Sequence, residues 1–238
     1  MDLGVAGHRY VITGGSRGLG FATAQALAAE GAHTCLVARD PERLRHAASS
    51  LPGTHDTIAT DLADADSAAR VARACGPIDG ILVNVGGPSP GAVLDLDDAA
   101  WHRAIDGVFL ASVRLLRELV PSLSEGGSIL AVLSSTTKEP IHELGASNAL
   151  RPGLAMVVKD LANALAPSVR VNGILPGRIA TDRLRELAGP DMASGIPMGR
   201  PGEPEEFGRV AAFLLSPAAS YVTGSLVAVD GGLLRSPW

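Results

Sequence analysis

The sequence predicts a doubly wound α/β domain, with seven parallel strands in one sheet, helices on both faces, and residues 1–238 forming a single domain. Three observations carry this expectation. Short β-rich runs alternate with helical patterns along the whole chain. Those runs are almost continuous in Val, Ile, Leu and Ala, as strands buried on both faces require. The first run also leads directly into a glycine-rich turn that opens a helix. Strands joined by helices of this length form right-handed crossovers, so ligands are expected at the C-terminal ends of the strands, where the strand order reverses.

In chain order, Arg9–Thr13 is the apolar run that feeds the glycine turn, and Gly18–Glu30 is the helix opened by that turn. Thr34–Ala38 follows as the second strand and Pro41–Ser50 as its helix, with proline at the favoured first position. Thr57–Thr60 and Gly80–Asn84 are the next two strands, separated by a helix over Asp64–Cys75. A long helix over Asp98–Leu119 precedes the strand Ser128–Leu133, and a second, over Ser147–Leu165, precedes the strand Val169–Leu175. Pro204–Leu215 is the last helix and Leu226–Val229 the last strand. No repeat, low-complexity tract or long linker interrupts the series.

Composition excludes several classes of function. Apolar residues make up 46% of the chain and charged residues 19%, a balance that suits neither disorder nor a membrane span. Apolar runs such as Ile129–Leu133 are far too short to cross a bilayer. A formal charge of -5 gives no electrostatic reason to expect a nucleic acid or an anionic membrane as partner. No basic segment followed by an apolar run opens the chain, so no signal peptide is expected, and the sparse cysteine usage is read as a cytoplasmic, reducing setting. Cys35 and Cys75 are too few for a disulfide framework or a zinc site and read as small buried hydrophobes. His8, His33, His46, His55 and His102 form no metal-ligand cluster, so no metal is expected.

The chemistry begins at Thr13-Gly14-Gly15-Ser16-Arg17-Gly18-Leu19-Gly20. Glycines there allow a tight turn and let the backbone approach a pyrophosphate, which the free N–H groups and dipole of the following helix then hold. Strand, turn and helix in this order are the dinucleotide-binding Rossmann arrangement. The end of the second strand selects the dinucleotide: an acidic residue suits a free ribose, arginine a 2′-phosphate. Arg39 stands there, with Arg17 available from the turn, which favours NADP(H); Asp40, next in line, is the residue that would suit NAD(H).

With these residues in view, the chain resembles the short-chain dehydrogenase/reductases over essentially its whole length, particularly their 3-oxoacyl-carrier-protein-reductase-like branch. Gly14, Ser16, Arg17, Gly18, Leu19 and Gly20 fall in that family's phosphate loop. Asp61-Leu62 resembles its adenine-contacting pair, and Asn84-Val85-Gly86-Gly87 is a variant of the turn after its fourth strand. Arg170 to Gly177 resembles the segment leading to the nicotinamide, with Pro176 and Gly177 at its end, and Ile179 and Thr181 match its carboxamide and phosphate contacts. Gly199–Glu206 and the two C-terminal stretches Val222-Thr223-Gly224 and Val229–Gly232 are similar to family signatures. The resemblance implies an oxidoreductase acting on a small molecule. It also implies a homodimer or homotetramer, the tetramer favoured, built through the helices Asp98–Leu119 and Ser147–Leu165.

The catalytic positions depart from the family, which uses Asn, Ser, Tyr and Lys with the last two spaced Tyr-x-x-x-Lys. Tyr10 and Tyr221 are the only tyrosines, and neither has lysine four residues later. Aligning Leu161-Ala162 with the family's Leu-Ala places Ser147 at the tyrosine position and Arg151 at the lysine position. Ser135, or its neighbour Ser134, takes the serine position, and counting from Trp101 puts Val108 at the asparagine position. A phenol with a pKa of about 10 can be tuned into a proton donor; a serine hydroxyl is a far weaker acid. Arg151 keeps its charge, so it can hold cofactor ribose or neutralise a developing oxyanion but not shuttle a proton. Lys138 and His142, on the stretch after the fifth strand, are candidate replacements, weighed against ordinary solvated loop residues.

Two functions stand at this point. One is an NADPH-dependent reduction of a small carbonyl, imine or enone with altered proton delivery. The other is non-redox: a cyclase, isomerase or lyase, or a silent binding protein, on the same NADP-binding fold.

Overall fold

The computed structural model describes residues 2–187 and 192–236. Its strands are β1 (Arg9–Thr13), β2 (His33–Ala38), β3 (Asp56–Ala59), β4 (Ile78–Val83), β5 (Leu123–Val132), β6 (Val169–Pro176) and β7 (Leu226–Val229). They form one parallel sheet in the order β3-β2-β1-β4-β5-β6-β7. The order reverses between β1 and β4, so the sheet is doubly wound as expected and opens a crevice there. Thr13, fully buried at the end of β1, ties the two sides of that crevice together. Its hydroxyl donates to the Leu82 carbonyl at 3.0 Å and accepts the Asn84 N–H at 2.7 Å.

Helices α1 (Gly18–Ala29), α2 (Pro41–Ser49) and α8 (Pro204–Leu215) cover one face. Leu27, Leu44, Phe207 and Ala211 pack there against Ile12, Leu36 and Ile174 of the sheet. The α1–α8 contact is close because Gly208 has no side chain; a Cβ there would run into the Ala22 carbonyl. The other face lies under α3 (Ser67–Cys75), α4 (Asp98–Ala104), α5 (Ala111–Leu119) and α6 (Gly145–Leu165). Val71, Leu115, Leu119, Leu154 and Val158 meet Val11, Ile81 and Ile129 there. Cys35 and Cys75 are buried in this second layer, with their sulfur atoms 3.3 Å apart. No helix among the described residues is long and apolar enough to cross a membrane.

Two elements differ from expectation. The long helix over 98–119 is not uniformly α: Ile105–Leu110, between α4 and α5, is a π-helical turn. Its mark is the Ala111 N–H, which donates to the Asp106 carbonyl five residues back. One such turn adds a residue to the helix circumference and shifts the phase of the side chains on either side. A short helix, α7 (Asp182–Leu187), also follows β6 where none was expected. The Thr181 hydroxyl caps it weakly by accepting the Leu184 N–H at 3.4 Å.

Candidate active site and cofactor groove

A groove of about 610 Å³ lies along the crevice, above the C-terminal ends of β1, β2 and β4. Such a volume suits a cofactor-sized ligand. Gly14, Ser16, Arg17, Gly18, Leu19, Arg39, Asp61, Leu62, Asn84, Val85, Gly86 and Thr181 all line it. The remaining expected cofactor residues are not among those that line it. Gly20 is buried in the first turn of α1, and Ile179 in the core beneath. Pro176 ends β6, and the N–H of Gly177, next in the chain, donates to the Val229 carbonyl at 3.0 Å. Arg151 lies within α6.

The turn fits a diphosphate. Gly14 has a φ of +62°, which side chains disfavour, and a Cβ on it would sit 2.6 Å from the Asn84 Nδ2. Arg17 is the N-cap of α1 and makes no side-chain capping bond. No capping side chain therefore competes with an anion for the first N–H groups of the helix.

At the β2 end, Asp40 is held by the helix that follows it. The Asp40 carboxylate is the N-cap of α2, accepting the Glu42 and Arg43 N–H groups at 3.0 and 3.1 Å. Those bonds, the Arg43 N–H first, hold its carboxyl below the usual range. Asp40 is thus engaged by its helix, and it lines the groove together with Arg39, Arg17 and Arg43. Arg39 lies 3.9 Å from Asp61, and Arg17 3.3 Å from Asp182. Both are exposed pairs of the kind that exchange readily for a phosphate.

The catalytic candidates gather at the C-terminal end of β5. Ser134 caps a single 3₁₀ turn, Ser135–Thr137, by accepting the Thr136 N–H at 3.2 Å. Ser135 and Thr136 are both buried. The Thr136 hydroxyl meets the Ser147 hydroxyl of α6 at 2.9 Å. Arg151, one turn further along the same face of α6, is 5% exposed. Its Nη1 donates to the Val132 carbonyl at 2.8 Å, and its Nε has no partner. Burial, with a further contribution from the Arg183 charge, pushes its pKa down to about 10. The site is therefore cationic and under-bonded, a state that favours a ligand bearing an oxygen acceptor or negative charge.

Of the other two candidates, His142 points away from this cluster and Lys138 closes its 3₁₀ turn, with its N–H donating to the Ser135 carbonyl at 3.0 Å. His142 has 87% of its side chain exposed and pairs with Glu143 at 3.2 Å. Lys138 is half-buried at the end of the 3₁₀ turn. Its neighbour Glu139 turns away to hold the C-terminal tail, accepting the Arg235 and Ser236 N–H groups at 2.7 Å each. Val108 sits on the π turn and, with Gly107, lines the groove.

Sequence reasoning passed over Thr136, Arg43, Arg103 and Arg183. The last three line the groove. Arg183 lies against Gly87 and donates to the Pro88 carbonyl at 2.9 Å, beyond the diphosphate position. The signal for Thr136 was the hydroxyl run Ser134-Ser135-Thr136-Thr137 itself; the arginines came without a motif.

Comparison with known proteins agrees with this geometry. The family described as enoyl-(acyl carrier protein) reductase matches residues 14–234. A galactitol 2-dehydrogenase of Cereibacter sphaeroides is 36% identical, covering 93% of this chain and 92% of that enzyme. The L-sorbose reductase of Gluconobacter frateurii, solved with NADPH and L-sorbose, superposes with a TM-score of 0.92 at 33% identity, covering 99% of this chain and 100% of that one. An NADPH-bound short-chain oxidoreductase of Pseudomonas aeruginosa, described as containing an atypical catalytic center, gives 0.90 at 33% identity, covering 96% and 97%.

Proposed function

Since the chain belongs to the short-chain dehydrogenase/reductase family, we propose that it is an NADPH-dependent reductase of a small carbonyl, imine or enone whose proton donor is not the usual tyrosine. The observation that carries this reading is the groove, with a phosphate turn at its centre, three arginines at its β2 end and an under-bonded buried arginine beside its far end. Bound NADPH would supply the hydride.

The protein's own groups hold, orient and neutralise. Gly14, Ser16 and the N–H groups opening α1 grip the diphosphate; Arg17, Arg39 and Arg43 grip the 2′-phosphate; Asp61, Leu62 and Val85 flank the adenosine. Ser135 and the Ser147–Thr136 pair offer hydroxyl protons as hydrogen bonds to the substrate oxygen, and Arg151 stabilises the charge that develops there. None of these hydroxyls is acidic enough to replace a tuned phenol. Substrates that demand little of an acid, such as an iminium or enone, therefore suit the site best. We propose further that the chain is a single cytoplasmic domain assembled as a homotetramer through the α4–α5 segment and α6. Light scattering at micromolar concentration should return four times the mass of one chain, and the mass of a single chain would refute the assembly.

The assignment is tested by titrating NADPH and NADH and then following absorbance at 340 nm across a panel of ketones, imines and enones. NADPH should bind more tightly than NADH. Arg39→Ala should remove most of that preference, a loss of roughly 1.5–3 kcal/mol for charge-assisted contacts. Equal curves for the two nucleotides would sink the NADP(H) assignment. Tight NADPH binding with no oxidation over the whole panel would favour the non-redox reading instead.

A further inference from the structure

After β7 the chain turns back at Asp230, whose carboxylate accepts the Gly232 and Leu234 N–H groups at 2.9 Å each. Gly231 and Gly232, at φ of +65° and +83°, allow that turn. It lies against the end of β6, since a Cβ on Gly177 would sit 2.6 Å from the Asp230 Cα. Leu234 then packs on the buried layer that carries Leu154 and Val158 of α6. The next two N–H groups, of Arg235 and Ser236, both donate to one carboxylate oxygen of Glu139 at 2.7 Å. Residues 230–236 thus form a strap that runs from the end of β7, past the end of β6, to the segment that follows β5.

Glu139 also shares the hydrogen bonds of the catalytic turn. Its N–H and that of Lys138 both donate to the Ser135 carbonyl, at 3.2 and 3.0 Å, and the Thr137 N–H donates to the Ser134 carbonyl at 3.0 Å. Pro140 stops the turn there, because a proline disfavours helical backbone in the residue before it. Beyond it, the side chain of Asn148, next to Ser147 on α6, holds Ile141 through both its N–H and its carbonyl, at 3.0 and 2.9 Å. The stretch from Ser135 to Ile141 is therefore fastened to α6 at one point and to the strap at another. We propose that Glu139 is a positioning residue: by gripping the strap it fixes the 3₁₀ turn that carries Ser135 and sets the Thr136 hydroxyl against Ser147. A carboxylate that accepts two backbone N–H groups makes charge-assisted bonds, stronger than the neutral bonds within the turn. It supplies from outside the rigidity that a single 3₁₀ turn lacks. The inference rests on the reading above of Ser135 and the Ser147–Thr136 pair as the groups that meet the substrate.

The test follows the turn and the strap separately in the full chain. Hydrogen–deuterium exchange reads the amides of residues 137–139, which are bonded within the turn. Trypsin reads the Arg235–Ser236 bond, whose two residues both donate to Glu139 and which is cleaved only when the strap is free to extend. Glu139→Ala should speed both processes about tenfold or more, as expected for losing a charge-assisted bond. It should lower kcat by a similar factor and leave the NADPH dissociation constant unchanged. Glu139→Gln, which keeps an acceptor oxygen in place, should restore most of all three. A merely structural role would lower the melting temperature and leave kcat of the folded protein unmoved. If Glu139→Ala fails to fold, Leu234→Ala, which loosens the strap from its other side, should reproduce these effects on a smaller scale. A Glu139→Ala protein in which the strap or the turn stays as slow as in the unmodified one overturns the inference, as does an unchanged kcat. An unmodified protein that oxidises NADPH with no substrate of the panel sinks the reductase reading instead, and exchange in the turn then decides the inference alone.

Discussion

Arg151→Ala should lower kcat by roughly 10²–10³ at a modest cost in melting temperature. The rate loss is that of removing one preorganised donor from the position where negative charge develops. The small stability effect follows from the same geometry. The guanidinium is desolvated, makes one hydrogen bond to Val132 and leaves its Nε unpartnered, so the folded state gains little from its charge. Ser135→Ala should cost less in rate, since a neutral hydroxyl contributes a weaker bond. Ser147→Ala should be mild in rate and leave the Thr136 hydroxyl without its partner, at about 1 kcal/mol of stability. Steady-state kinetics beside thermal melts separate these outcomes. A fully active Arg151→Ala enzyme would move the chemistry elsewhere, with Lys138 the next residue to test.

The sheet and the phosphate turn were legible in the sequence because local rules dictate them. Two-sided burial forces continuous apolar runs, and a turn between a strand and a helix that must admit a phosphate forces glycine. Arg39 was legible as a groove residue from its place at the end of the second strand, the last position before a helix cap. Features set by three-dimensional phase were not. The π turn over Ile105–Leu110 has no signature that distinguishes it from the helix on either side, yet it carries Val108 to the groove. The choice between Asp40 as ribose ligand and as helix cap depends on the direction of one side chain, which the bonds from Glu42 and Arg43 decide. His142 carried the right chemistry at the right distance along the chain, but its loop aims it into solvent. Thr136 carried no catalytic signature, and the 3₁₀ turn aims it at Ser147.

Arg170 is the scaffold's counterpart to Arg151, and its replacement should give the opposite result. It belongs to the segment whose sequence resembles the approach to the nicotinamide, yet the structure gives it four backbone partners at the far end of the sheet. Its Nη1 donates to Leu214 at 2.9 Å and Val222 at 3.3 Å, and its Nη2 to Leu215 at 3.4 Å and Ser216 at 2.9 Å. Leu214 and Leu215 close α8, whose last carbonyls have no intrahelical donor, so a buried cation there satisfies them and complements the helix dipole. Arg170→Met keeps much of the volume but removes four charged hydrogen bonds and strands the Leu214 carbonyl, while Leu215, Ser216 and Val222 keep donors in Ser128, Ala219 and Asn172. Hydrogen bonds to a charged group and the desolvation of that one orphaned acceptor together put the loss at about 3 kcal/mol. For a chain of this size, that lowers the melting temperature by roughly 6–12 °C. Activity per folded molecule at low temperature should be retained, because Arg170 reaches neither the groove nor the Ser147–Thr136 pair. An Arg170→Met protein that melts with the unmodified one would mean that α8 finds other donors for its end. One that melts normally and loses activity would place Arg170 in the chemistry.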